Sequence, residues 1–201
     1  MSAESMRIEL CRALRESLGI SSVSSVEELR REVEARGLDI VLAPLGDDGL
    51  YACVAKRVEA YVRIVDRVEI ERELGDVRCS EGALEAYVGI VKGFSKDGAE
   101  VRGMEILREV YSDALLEHVA RIAASMSGAS RVKIVHREGF AGVGEPILLI
   151  ACCAETRFAA RECVSKALDM IKLLAPLTKV EVLVDGSRRI VVAGLSMPVE
   201  T

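Results

Sequence analysis

The chain has 201 residues and a net charge of −5; half of its residues are apolar and 29% are charged. That is enough apolar material for one or two domains with packed cores that need no metal or disulfide. The acidic balance and an aromatic content of 3% exclude a general nucleic-acid binder, which needs basic patches and stacking rings.

The N-terminal part reads as a small α+β unit. Residues 7–18 begin with alternating Ile8 and Leu10. Residues 25–37 carry a helix signature: Ser25 as cap, Glu28 three positions on, Gly37 as terminator, and an apolar stripe of Val26, Leu29 and Val33. Residues 38–43 and 50–56 read as strands around a Gly46-Asp-Asp-Gly49 turn, and residues 58–64 as a further strand. The charged stretch 66–76 marks a boundary, giving domains 1–65 and 66–201.

The second part alternates strands and helices. Residues 82–92 are strand-like, and 93–98 form a polar loop bounded by glycines. Residues 104–126 carry Leu107, Val110, Tyr111, Ala114 and Leu115 at helical spacing, ending near Gly128. Residues 132–135 make a short strand, followed by a glycine-rich turn through Gly144 and a continuous apolar strand over 147–153. Residues 157–174 form a second long helix, stopped by Pro176 because proline cannot continue it. Residues 179–184 and 189–192 then pair as a hairpin about Asp185-Gly186. This β-α-β-β-α-β order predicts the α+β class, a two-layer sandwich with a largely antiparallel sheet.

No apolar run approaches the ~20 residues that span a bilayer, and residues 1–7 lack a signal-peptide core; a cytoplasmic protein without membrane or nucleic-acid contact is expected. Asn, Gln and Trp are absent while Glu and Arg abound, the composition of a heat-adapted protein. The six cysteines, Cys11, Cys53, Cys79, Cys152, Cys153 and Cys163, show no CxxC and no metal spacing, and are expected as buried thiols. No phosphate-binding, nucleophile-elbow or zinc signature is present, so neither metal nor cofactor is expected.

The pattern that carries chemistry is Lys172…Pro176…Lys179. One lysine closes a helix and the other opens the returning strand, which can bring two amines to one rim. Like charges lower each other's pKa, favouring a neutral amine for proton transfer or covalent attack. On spacing alone the same residues also read as a helix C-terminal cation and an ordinary edge-strand lysine.

The runs His136-Arg-Glu-Gly139, Gly144-Glu-Pro-Ile, Arg157-Phe-Ala-Ala-Arg-Glu-Cys163, Asp169-Met-Ile-Lys172 and Ala175-Pro176-Leu-Thr-Lys179, with the upstream Tyr87-Val-Gly89-Ile-Val91-Lys92, share order and spacing with one family. Over residues 66–195 the chain resembles the large catalytic subunit of molybdopterin synthase. The resemblance implies that family's fold and sulfurtransferase activity. Two sulfurs would pass from the Gly-Gly thiocarboxylate of a small sulfur-carrier subunit to cyclic pyranopterin monophosphate, forming the molybdopterin dithiolene of the molybdenum cofactor. Lys172 and Lys179 match the catalytic lysines, with Lys92, Arg157, Thr156, Tyr87, Val91 and Glu181 as substrate-binding candidates. Thr156 stands where the family has histidine, Lys92 where it has arginine, Thr178 where it has an aromatic, and the family's later arginine has no counterpart beyond Arg188 or Arg189.

Arg157 and Lys172 lie about 22 Å apart on one helix at ~1.5 Å per residue, so a shared pocket needs a homodimer. With the carrier this makes a heterotetramer, the family's assembly. Residues 6–29 also resemble the start of the β-grasp sulfur carrier, but the chain runs on past Val65 with no free Gly-Gly end. An unrelated small domain is the other reading of this unit. The alternative to the enzyme is a non-catalytic dimeric module that binds a phosphorylated ligand or the carrier.

Overall fold

The computed structural model describes residues 7–38, 40–44, 49–54, 58–192 and 195–198. The N-terminal unit contains β1 (Arg7–Leu10), α1 (Arg12–Leu18), α2 (Val26–Ala35), β2 (Ile40–Pro44) and β3 (Gly49–Val54). β1 leads into two helices and lies parallel to β3, with β2 antiparallel on β3's other side. The expected turn at 46–48 lies outside the described residues. Ser25 caps α2, accepting from the Glu28 amide at 3.1 Å, while the Glu28 carboxylate accepts from the Ser24 amide at 2.6 Å. Capping therefore satisfies amides that a helix start leaves unpaired. Leu10, Leu14, Leu18, Leu29 and Val33 form a core separate from the main one.

The main unit holds two sheets. In the first, β4 (Glu59–Val65) runs parallel to β7 (Arg131–Arg137); β9 (Pro146–Ala154) and β5 (Ala83–Ile90) follow antiparallel. β4 pairs along its whole length with β7, so this strand, preceding residue 66, is built into the larger unit's sheet. In the second sheet, β6 (Val101–Arg108), β8 (Gly139–Gly142), β10 (Leu177–Leu183), β11 (Arg188–Val192) and β12 (Leu195–Pro198) pair antiparallel in the order β12-β11-β10-β6-β8. The α+β class and the largely antiparallel pairing stand as expected.

Helices α4 (Ser112–Ser127) and α5 (Arg157–Leu174) cover one face of the first sheet and pack on each other. Val119, Ala120, Ala123 and Ala124 of α4 and Cys163, Ala167 and Ile171 of α5 meet Val132, Ile134, Ile150 and Cys152 there. α3 (Ile70–Gly75) covers the opposite face, beside Val135 and Leu149. The buried Lys133 ammonium fastens it, donating to the Glu73 carbonyl at 2.7 Å and pairing with the Glu73 carboxylate at 2.7 Å. A buried ammonium is tolerable because both contacts satisfy it.

Three expectations are corrected. Residues 104–126 are not one helix: Met104–Arg108 belongs to β6, held between β10 and β8. Leu107, Val110 and Tyr111, which suggested the helical stripe, are exposed; the buried stripe is Leu116, Val119, Ala120, Ala123 and Ala124. A strand running into a helix mimicked one period across the junction. Similarly, the glycine-rich segment after His136 contains a strand, β8, not only a turn. The cysteines are not all thiols: Cys11 joins Cys53 and Cys79 joins Cys153, while Cys152 and Cys163 remain free and buried. The bridged pairs lie 42 and 74 residues apart in sequence, and only folding brings such distant sulfurs together.

Candidate functional site

α5 and β10 are joined through Ala175 and Pro176. Ala175 takes the left-handed conformation (φ 43°) that ends the helix, its amide donating to the Ile171 carbonyl at 3.0 Å. The Ser112 hydroxyl donates to the Pro176 carbonyl at 2.5 Å, and the Thr178 hydroxyl donates to the Glu109 carboxylate at 2.9 Å. The connection is thus fixed from the start of α4 and the residues just before it, and the chain reverses sharply. Lys172 in the last turn of α5 and Lys179 in β10 reach the same cavity.

Alternation along a strand sends Leu177, Lys179 and Glu181 to one face. The β6 partners of Lys179 and Glu181, Ile106 and Met104, share that face. Opposite stands the end of β5, which supplies Tyr87, with Lys92 just beyond it. The cavity between them measures about 420 Å³. Lys92, Lys96, Lys172, Lys179, Glu181 and Tyr87 supply its polar lining, with Ile147, Ile171 and Leu177 among its apolar walls. Four amines against one carboxylate leave a surplus of positive charge, so the site suits an anionic ligand. Glu181 is only 2% exposed and pairs with Lys92 at 3.9 Å.

Burial and then the Lys172 ammonium bring the Lys179 amine down from 10.5 to about 8. Removing a cation from water disfavours its charged form, and a neighbouring cation adds to the effect. The pair therefore offers one amine that exchanges a proton near neutrality and a second, exposed one beside it. Such an amine can take a proton or attack a carbonyl.

Of the residues singled out from sequence, Lys92, Lys172, Lys179, Tyr87 and Glu181 converge. Val91 does not face the cavity; it is buried at 1% exposure, and its backbone pairs with Glu145 and Gly144. Thr156 and Arg157 lie at the far end of α5. Thr156 caps the helix, accepting from the Ala159 amide at 3.2 Å. The exposed Arg157 guanidinium stacks over the Phe158 ring at 4.9 Å.

Lys96 was missed because its segment reads only as a polar loop. Asp97 shapes that loop by accepting from the Ser95 hydroxyl and pairing with Arg189 at 2.6 Å, which holds its carboxyl at about 2. His136, which opens one of the runs shared with the family, is fully buried in β7 and does not line the cavity. Among the described residues, the group with ligand atoms close enough to hold a metal is Cys79, Glu81 and Cys153, and its two sulfurs are joined in a disulfide.

Comparison with known proteins points one way. The sequence model of the MoaE protein family matches residues 55–173. A molybdopterin synthase catalytic subunit from Pseudomonas aeruginosa is 34% identical over 110 residues, covering 53% of this chain and 71% of that protein. The molybdopterin biosynthesis MoaE protein from Burkholderia ambifaria superposes with a TM-score of 0.55 at 26% identity, over 71% of this chain and 92% of that one. A chain from the complex of subunits 1 and 2 of molybdopterin-converting factor from Helicobacter pylori shares the fold, with a TM-score of 0.51 at 19% identity, over 69% of this chain and 90% of that one.

Proposed function

Because the chain belongs to the MoaE protein family, we propose that it acts as a molybdopterin synthase catalytic subunit, a sulfurtransferase. It takes sulfur from the C-terminal thiocarboxylate of a small carrier protein and delivers it to cyclic pyranopterin monophosphate, twice per product. The observation that carries this reading is the meeting of Lys172 and Lys179 in one cation-rich cavity, with Lys179 poised near neutrality. Lys172 engages the carrier terminus and Lys179 moves protons as sulfur is transferred. Lys92 and Lys96 bind the anionic groups of the pterin; a lysine at 92 acts as a point charge rather than a bidentate fork.

Arg157 starts the helix that Lys172 ends, about 22 Å away at ~1.5 Å per residue. We propose that it serves the cavity of a two-fold related copy, so that a homodimer completes two sites and two carriers make a heterotetramer. Thr156 would come with it. The N-terminal unit, with its own core, is not the sulfur carrier, because the chain continues from it into β4. Among the described residues no helix is long and apolar enough to cross a membrane, and we place the protein in the cytoplasm, without membrane or nucleic-acid contact.

Purified protein, thiocarboxylated carrier and pyranopterin precursor are mixed, and molybdopterin is detected by its oxidised fluorescent derivative. Product from the natural chain and none from Lys172→Ala or Lys179→Ala supports the reading. Carrier binding without product from the natural chain would make it a binding module instead.

A further inference from the structure

The turn that brings Lys96 to the cavity is closed by its own backbone. The Gly98 amide donates to the Ser95 carbonyl at 3.1 Å and the Ser95 amide to the Ala99 carbonyl at 2.9 Å, so Lys96 and Asp97 hold the central positions. One Asp97 carboxylate oxygen accepts from the Ser95 hydroxyl and, at 3.3 Å, from the Ala99 amide. The other accepts from the Arg189 guanidinium at 2.6 Å. In the β10–β11 ladder Val191 lies opposite Lys179, and Arg189 opposite Glu181. Residues opposite one another leave a sheet on the same face, and Val191, Lys179 and Glu181 line the cavity. Arg189 leaves that face too, but its guanidinium is taken up by Asp97 and does not line the cavity. The pair spans 92 residues of sequence and ties the tip of the turn to β11.

We propose that Asp97 and Arg189 are positioning residues for Lys96: their ion pair holds the turn so that the Lys96 ammonium stays at the cavity and binds a phosphate group of the ligand. The inference deepens the synthase reading and rests on it for the identity of that ligand. A lysine carries its charge on a flexible stem, and ordering it costs rotamer entropy. Fixing the backbone beneath Lys96 removes part of that cost before the ligand arrives. The ion pair also decides which cation meets the anion. A free guanidinium at position 189 would offer a bidentate fork beside the cavity. Asp97 occupies that fork, and the point charge of Lys96 is presented instead.

Charge alone and positioning predict opposite signs for one substitution. Asp97 is an anion beside a cation-rich cavity, so loss of its charge would by itself tighten the binding of an anion. Asp97→Asn keeps an oxygen for Ser95 and Ala99 but gives up the ion pair, and positioning predicts weaker binding. The probe is inorganic phosphate, titrated into full-length protein carrying 13Cε-lysine and followed by NMR. The phosphate dissociation constant should rise ~3-fold in Asp97→Asn, the scale of one exposed ionic contact. Lys96→Met should weaken binding at least as much, and adding Asp97→Asn to it should change nothing further, because the carboxylate acts only through that lysine. Unchanged or tighter binding in Asp97→Asn overturns the inference. So does an equal loss from Asp97→Asn in the Lys96→Met background, or a natural chain that binds no phosphate. No arm requires turnover: the synthase assay can fail while this pattern holds, and product can form in a chain whose Asp97→Asn variant binds phosphate normally.

Discussion

Replacing Lys172 by Met removes a charge while keeping an unbranched stem, at an exposed position in the last turn of α5. Lys179 stands at about 8 against 10.5 for an ordinary lysine. Each pH unit is tenfold, so the folded protein holds roughly 300 times more neutral amine near pH 7 than a free lysine would. Burial is the larger cause and the Lys172 charge the smaller. Less than half of the lowering should therefore disappear in Lys172→Met, raising the Lys179 midpoint by up to about one pH unit and cutting neutral amine by up to ~10-fold. The assay is a 13Cε-lysine titration between pH 6 and 11, in low and high salt. The natural chain's midpoint should rise with salt as the repulsion is screened, and the variant's should move less. A midpoint that stays near 8 or falls in Lys172→Met would refute the idea that the two amines share a field.

Further outcomes follow from other parts of the molecule. His136 is held neutral, at about 3 against 6.5. Its folded value is depressed, so stability is intact above pH 6.5 and drains as the pH falls toward 3; by pH 5 the unfolded chain alone takes this proton, costing about 2 kcal/mol. Urea unfolding at pH 7 and 5 should show that loss in the natural chain, and a correspondingly smaller one in folded His136→Gln. The Cys79–Cys153 bridge closes a loop across 74 residues, so Cys79→Ser should lower unfolding free energy by as much as about 4 kcal/mol; equal denaturant midpoints for the two proteins under oxidising conditions would contradict this. Arg157→Ala and Lys172→Ala subunits, each inactive alone, should regain about a quarter of natural activity when unfolded and refolded together, because half the dimers then carry one intact site. No recovery in verified mixed dimers would place Arg157 outside a shared site.

Much of this was legible in the chain because local rules and long-range packing agree. Ser25 and Glu28 mark the start of α2, and a period near 3.6 with a terminal proline marks α5, since capping and helical spacing are properties of neighbouring residues. The lysine pair at 172 and 179 could be singled out for the same reason: a helix end, a break and a strand start lie within eight residues. The helix–strand junction at residues 108–112 was not legible, because Leu107, Val110 and Tyr111 mimic a stripe that pairing of β6 with β10 and β8 overrides.

What the tertiary structure decided is whatever joins segments distant in sequence. Cys79 meets Cys153 across 74 residues, Lys96 joins the cavity on a loop braced by Arg189, and Glu181 pairs with Lys92. The state of Lys179 belongs to this second group. Its residue type and place in the strand are written in the sequence, but the proton it holds near neutrality depends on how much water the folded walls exclude and how near they bring Lys172.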